Sequence, residues 1–271
     1  MIARNRTAAI AAAIVVAALS SAFADEPDRR PAAAIQDNSY LVEEAYNQEE
    51  GVVQHIFNLR RKDRDWSFSF TQEWPVVDQT HQFSYTVPYS WLRADSGREH
   101  GFGDLLLNWR VQALEESDAV PAFAPRLSLI LPSGDDERGL GDGTVGYQAN
   151  LPVSKIVADR WTLHANAGLT AFPNLNGRNP VSYSLGASAI YAVSRTFNFM
   201  LETLGEWEES VEAGGGIDRG FTTTISPGFR YALNLDAGQL VWGLAAPIGL
   251  TRGNTDYGVF VYVSFEHDFL K

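Results

Sequence analysis

The chain has no cysteine. Disulfides and thiol chemistry are therefore excluded, and an exported domain of this kind must be stabilised another way. It also has no apolar run approaching 18 residues beyond its first two dozen, so no helix is written for crossing a bilayer. Basic residues are scarce: 21 Lys and Arg stand against 33 Asp and Glu, a formal charge of −12. Such a surface argues against nucleic acid as a partner. From residue 51 onward a helical period is missing as well, which excludes an α/β enzyme fold.

What is present begins with a leader. Arg4 and Arg6 precede an apolar run from Ala8 to Leu19, and Ala22-Phe23-Ala24 is a small-x-small cleavage site before Asp25. The pattern predicts a secretory signal over residues 1–24. Both basic residues of the leader are lost on cleavage and no acidic one is, so the exported chain is more acidic still.

Residues 25–50 form an N-terminal segment on the periplasmic side. Asp25–Pro31 reads as disordered. Leu41, Val42, Ala45 and Tyr46 recur at helical spacing behind Asn38 or Ser39 as N-cap, which predicts a short helix. That helix would be either a plug in the fold that follows or a loosely ordered tail.

From residue 51 to 271 the period is two. Trp66, Phe68 and Phe70 alternate with Ser67, Ser69 and Thr71. Phe83, Tyr85, Val87, Tyr89 and Trp91 alternate with small and polar residues, and Val181–Ala189 and Phe221–Tyr231 do the same. Period two means strand. About twelve strands are predicted, near 51–60, 66–75, 79–92, 102–113, 121–132, 144–155, 161–171, 181–193, 197–207, 220–232, 239–250 and 257–270. A soluble sandwich also alternates. Three features select an all-β transmembrane antiparallel barrel with a short N-terminal periplasmic segment. Short breaks alternate with long polar ones such as Ser133–Gly143, Pro173–Pro180 and Glu208–Arg219. Trp66, Trp74, Trp91, Trp161, Trp207 and Trp242 fall near strand ends, where bilayer interfaces want amphipathic rings; Trp109 is less clearly placed. The last strand carries Val259, Val261, Val263, Phe265, His267 and Phe269 on one face, an apolar alternation of the kind the barrel assembly machinery reads.

Certain strings are recognisable. They are Gly103-Asp104-Leu105-Leu106-Leu107, Leu131-Pro132-Ser133-Gly134-Asp135, Gly139-Leu140-Gly141-Asp142-Gly143 and Asn150-Leu151-Pro152-Val153-Ser154-Lys155. Together they resemble the outer-membrane family labelled MetA-pathway of phenol degradation, over most of residues 100–271. The resemblance implies an outer-membrane barrel and passage of aromatic or apolar compounds. It supplies no catalytic residue.

If the Phe269 face meets lipid, the other face lines the lumen with Glu73, Asp104, Asn108, Arg110, Arg126, Gln148, Asn150, His164, Asn166, Glu202, Arg230 and Glu266. A mid-bilayer arginine on the lipid side would cost roughly 2–4 kcal/mol. Pairing strands about their loops sets Arg110 beside Arg126, and Arg126 beside Asn150. The two arginines could form an anion-attracting constriction, or a network with Asp104, Glu73 or other acids that fills the lumen. The same pairing sets His164, Ser188 and Glu202 in a row. A nucleophile triad needs the histidine between the other two, and here the serine is central. Gly139–Gly143 lacks the Lys-Ser/Thr and the helix of a phosphate loop. Asp135, Asp136, Glu137 and Asp142 beside it read as a solvated charge run, with a divalent cation as the sharper alternative. The expectation is thus a non-enzymatic barrel of a Gram-negative outer membrane, with no cofactor and no metal. Its partners are the bilayer's lipids, the assembly machinery and a small-molecule solute. Passive passage through a narrow lumen leads; a non-conducting structural or sensing barrel is the alternative, and a lipid-acting enzyme a third.

Overall fold

The structure is a computed structural model, and it describes residues 35, 39–94, 97–212, 214–251 and 254–269. The leader, its cleavage site and Asp25–Pro31 lie outside these residues. Twelve antiparallel strands close into one barrel: β1 (Val52–Lys62), β2 (Asp65–Val76), β3 (His81–Ala94), β4 (Gly97–Phe102 and Leu105–Val111), β5 (Ala122–Phe123 and Arg126–Leu131), β6 (Gly146–Ala158), β7 (Trp161–Ala171), β8 (Val181–Ala192), β9 (Phe197–Val211), β10 (Ile217–Leu235), β11 (Gly238–Ala245 and Ile248–Thr251) and β12 (Asn254–Asp268). Each pairs with its neighbours in sequence, and β1 pairs with β12 from Val52↔Asp268 to Lys62↔Gly258. Each strand is thereby paired on both sides around the wall, the condition for a sheet to span lipid. Only beyond the wall does a segment such as Gly97–Phe102 pair on one side alone.

Three strands are interrupted, at Gly103-Asp104, Ala124-Pro125 and Ala246-Pro247. Proline has no N–H to give a ladder, so two of the breaks are written in the sequence. The short turns after β2, β6, β8 and β10 share one end with the start of β1 and the end of β12, which by the usual plan of such barrels is the periplasmic one. The β5–β6 and β7–β8 loops face outward, and the protein resides in the cell outer membrane.

Facing follows period two. Leu185, Tyr183, Leu127 and Leu201 are exposed on the outer wall, while Ser84, Ser128 and Arg230 are buried inside. Aromatic pairs form two girdles. Trp66 and Trp91 are cross-strand partners towards the outside, and Trp207 packs against Phe221 with ring centroids 4.7 Å apart. At the periplasmic end Trp74 lies 5.8 Å from Phe269 and Trp161 5.0 Å from Tyr191. Trp109 joins this lower girdle, 5.6 Å from His81. Leu185→Arg should therefore destabilise the folded barrel by about 2–4 kcal/mol, and Ser184→Arg by far less. Urea unfolding in lipid vesicles, read by tryptophan fluorescence, measures the difference; equal effects would mean the facing is wrong.

Two expectations change. The break at Glu208–Arg219 is mostly ladder: β9 and β10 stay paired out to Val211↔Ile217. The hairpin projects beyond the outer girdle, where both faces are wet and the apolar half of the alternation vanishes. Arg219 Nε bonds Glu209 Oε1 at 2.8 Å there. The second change is that no helix forms over residues 39–50. The N–H groups of Leu41 and Val42 go to Glu202, that of Glu43 to Asn166, of Ala45 to Ser154, of Asn47 to Gln112 and of Gln48 to Gln82. Donors that a helix would spend on its own carbonyls are spent on the wall.

Candidate functional site

Inward side chains alternate along every strand, so a lumen narrow enough to be filled by them sets a polar wall around a slender axis. Here the filling is completed by residues 39–50. They run as an arch across the lumen, from the periplasmic ends of β1, β3 and β4, past β5–β7, to β8–β10.

Arg110 anchors one foot. It is 2% exposed. Its Nε donates to Asn47 Oδ1 at 2.8 Å, and its terminal nitrogens to Tyr46 O at 2.7 Å, Glu44 O at 3.3 Å and Gln82 Oε1 at 3.0 Å. Gln48 Nε2 bonds Gln54 Oε1 at 2.7 Å, and Gln82 Nε2 bonds Glu73 Oε2 at 2.8 Å, which extends the floor to β1 and β2. Below it Tyr46 donates to Glu116 in the β4–β5 turn at 2.5 Å, and Lys155 reaches the same carboxylate at 2.9 Å. Burial works against the Glu116 charge, yet the bonds from Tyr46, Lys155 and Ile156 N–H hold its carboxyl below the usual range.

The crown of the arch carries Glu43. Its carboxylate meets Arg126 Nε at 2.8 Å and accepts from Asn150. Arg126 also donates to Asn108 at 2.8 Å, to Gln148 at 2.9 Å and to Ser128. Asn166 brackets Glu43 through its backbone, at 2.6 and 2.8 Å. The other foot is partly apolar. Tyr40 stacks on Phe260 at 5.2 Å and donates to Phe229 O. A Cβ at Gly243 would overlap the Tyr40 hydroxyl, so the wall is notched there by glycine. Ile35, Ile190, Met200, Val241 and Tyr262 complete this buried cluster on the lumen side, and Arg230 donates to Ile35 O at 3.2 Å.

The expected neighbours Arg110↔Arg126 and Arg126↔Asn150 are cross-strand partners. The acid comes from the N-terminal segment. Arg126 bonds Glu43 of the arch rather than Asp104 or Glu73. Asp104 accepts the N–H groups of Gly134 and Asp142 at 2.8 Å each, which folds the β5–β6 loop onto the outer rim. Burial beside Asp104 pushes the Asp142 carboxyl up. His164, Ser188 and Glu202 do share a row. Each is engaged separately: His164 Nδ1 with Ser154 at 2.6 Å, Ser188 with Ser39 at 2.7 Å, Glu202 with the arch backbone. Glu43, Asn47 and Tyr40 were missed by sequence reasoning. The available signal was the set of wide-set charges at Arg110, Glu202 and Arg230, which a wall of serines and threonines could not satisfy.

Two cavities flank the crown and share Leu41, Glu43 and Arg126 as a partition. The larger, about 450 Å³, lies in the outer half against β6–β9, where Gln148, Asn166, Thr170, Ser182, Ser184 and Glu206 line it. The smaller, about 210 Å³, lies against β1–β4, with Asn58, Thr71, Ser84 and Asn108.

The model of the family described as "Putative MetA-pathway of phenol degradation" matches residues 30–263. Among solved structures, a COG4313 outer membrane channel from Pseudomonas putida F1 is similar with a TM-score of 0.64 at 13% identity, over 82% of this chain and 97% of that one. The fold is thus shared with an outer-membrane channel. A KdgM porin in complex with disordered oligogalacturonate gives a TM-score of 0.44 at 12% identity, over 80% and 99% of the two chains. A CymD monoaromatic hydrocarbon channel gives 0.38 at 11%, over 82% and 89%. No functionally curated protein matches the sequence.

Proposed function

Because the chain belongs to the MetA-pathway of phenol degradation family, we propose that this outer-membrane barrel is a passive uptake channel for small hydroxylated organic molecules, phenols among them, and that it catalyses nothing. One observation carries the reading. The 450 Å³ outer chamber is large enough for a single ring, and its lining sets hydroxyls, amides and carboxylates such as Gln148, Asn166, Thr170, Ser184 and Glu206 beside apolar Leu41 and Leu204. A solute with one or two hydroxyls would exchange its water for those groups at little net cost, whereas a bare hydrocarbon would displace the water that hydrates them and offer no hydrogen bond in return. The family's description supports an aromatic solute, and the lining supports its hydroxylation.

The partition sets the charge preference. Glu43 neutralises Arg126, so the pair presents a dipole to a passing solute and no net charge. In planar bilayers, catechol should interrupt the ionic current through the protein in brief blocks, and benzene should not. Gln148→Leu with Asn166→Leu should shorten those blocks. Glu43→Gln should move the reversal potential towards anion selectivity and Arg126→Gln towards cation selectivity. A barrel silent to ions and solutes under all conditions would instead support the non-conducting reading, which the bonded floor beneath the arch favours.

A further inference from the structure

Just inside the periplasmic girdle, one row of the outer wall is polar. Tyr85, Gln72 and His55 are cross-strand partners on β3, β2 and β1. His267 of β12 stands one pleat lower, beside them. All four point away from the lumen, and they are hydrogen-bonded to one another. Tyr85 donates to Gln72 Oε1 at 2.5 Å, Gln72 Nε2 lies 3.3 Å from His55 Nδ1, and His55 Nε2 lies 3.3 Å from His267 Nε2. His267 Nδ1 is 3.1 Å from Asp268 O. On the next strands the row becomes Leu107 and Leu129, so the polarity belongs to the seam where β12 meets β1. Gln72 sits about 5 Å to the membrane side of the Trp74–Phe269 girdle, within reach of hydrated headgroups.

We propose that His55 and His267 form a transition-metal site of the Zn²⁺, Cu²⁺ or Ni²⁺ class that staples the first strand to the last. A tetrahedral ion with metal–nitrogen bonds of about 2.0–2.1 Å holds two imidazole nitrogens about 3.3 Å apart. The two Nε2 atoms stand at that separation already. The ring planes lie within 16° of each other with centroids 5.4 Å apart, so one ion can lie in both planes after a small rotation. The carbonyl of Asp268 accepts the Nδ1 proton of His267, which leaves its Nε2 lone pair free for a metal. For His55 the proton moves from Nε2 to Nδ1, and the Gln72 amide turns over to accept it through Oε1. Both imidazoles are neutral before and after, so binding releases no proton from them. Among the described residues no third His, Cys, Asp or Glu completes a cluster. Water or a lipid phosphate oxygen fills the remaining positions.

The test uses the full exported chain without a polyhistidine tag, folded in detergent, with Cu²⁺ alone as the probe. Paramagnetic resonance should show coupling to two imidazole nitrogens, and the ion should raise the temperature at which the barrel loses its fast, unboiled gel mobility. His55→Gln or His267→Gln should abolish both effects, and His81→Gln and His100→Gln should abolish neither. Gln72→Leu should weaken binding about tenfold while keeping the two-nitrogen signal. A two-nitrogen signal that survives the His55→Gln, His267→Gln double variant, or absence of any nitrogen coupling in the parent chain, would overturn the site. Should the histidine variants fail to fold, the parent spectrum and Gln72→Leu still decide.

Discussion

Linking the arch to the wall by one disulfide should shut the channel. Ser39 and Ser188 have their hydroxyl oxygens 2.7 Å apart, near enough for Ser39→Cys and Ser188→Cys to bond after slight adjustment. The parent chain has no cysteine, so no other pairing competes. With the arch covalent to β1 at Gly51 and cross-linked to β8 at its far end, it can neither swing nor withdraw. Beneath the crown the described residues narrow the lumen: Gln48, Gln54, Gln82 and Glu73 are bonded across one side, and Tyr40, Met200, Phe260 and Tyr262 are packed across the other. Solute uptake into vesicles should fall to the protein-free background on oxidation and return on adding a reductant. Unchanged uptake in the oxidised state would mean that solutes pass beside a stationary arch.

The opposite result is expected from Arg110→Leu. Four hydrogen bonds leave with the guanidinium, and the carbonyls of Glu44 and Tyr46 and the amide oxygen of Asn47 lose their donor. Each buried acceptor left unpaired costs about 1–3 kcal/mol, and together they exceed what the remaining bonds of that foot supply. The β4 backbone ladder does not involve the side chain, so the barrel itself should stay closed. The segment should then become cleavable by protease from the periplasmic side, and single-channel conductance should rise several-fold with added noise. Arg126→Leu should do much less. It breaks the ion pair with Glu43 but leaves that carboxylate bonded to Asn150 and open to the two cavities. The other partners, Asn108, Ser128 and Gln148, belong to the wall and can rebond to water there. If both variants behave alike, the arch is not held by its Arg110 foot.

The barrel was legible because a membrane divides residues sharply. Ser84 and Tyr85, or Ser184 and Leu185, cannot exchange faces without placing a hydroxyl in lipid and a large apolar side chain in water. Where the membrane ends the rule ends too, which is why Glu208–Arg219 reads as loop although its ladder continues. The same rule has no means of recognising apolar residues that face inward. Ile56, Met200, Phe260 and Tyr262 alternate correctly, yet what they pack against is Tyr40 and Ile35, far away in the chain. The helix expected at Leu41–Tyr46 failed for a related reason. Its spacing is real, and Val42 and Ala45 are buried. Its backbone, however, is satisfied by side chains of β3, β4, β6, β7 and β9, and no local pattern can announce partners on five strands.

The arch also has a kinetic meaning. Ile35 O and Arg230 are 195 residues apart in sequence, Tyr40 and Phe229 are 189, and Leu41 and Glu202 are 161. Contacts of such high order are formed late, because the loop between them must be closed before they return any energy. The segment emerges first, yet it finds its last partner only when β10 is in place. Until then its N–H groups must stay hydrated, which holds it on the watery axis while strands are laid around it. A closed ring cannot easily be threaded afterwards, so the joining of β1 to β12 should be the step that traps the segment. Variants that weaken the arch would then slow or misdirect seam closure, and the damage would register as a lower yield of folded barrel even where the finished barrel is stable.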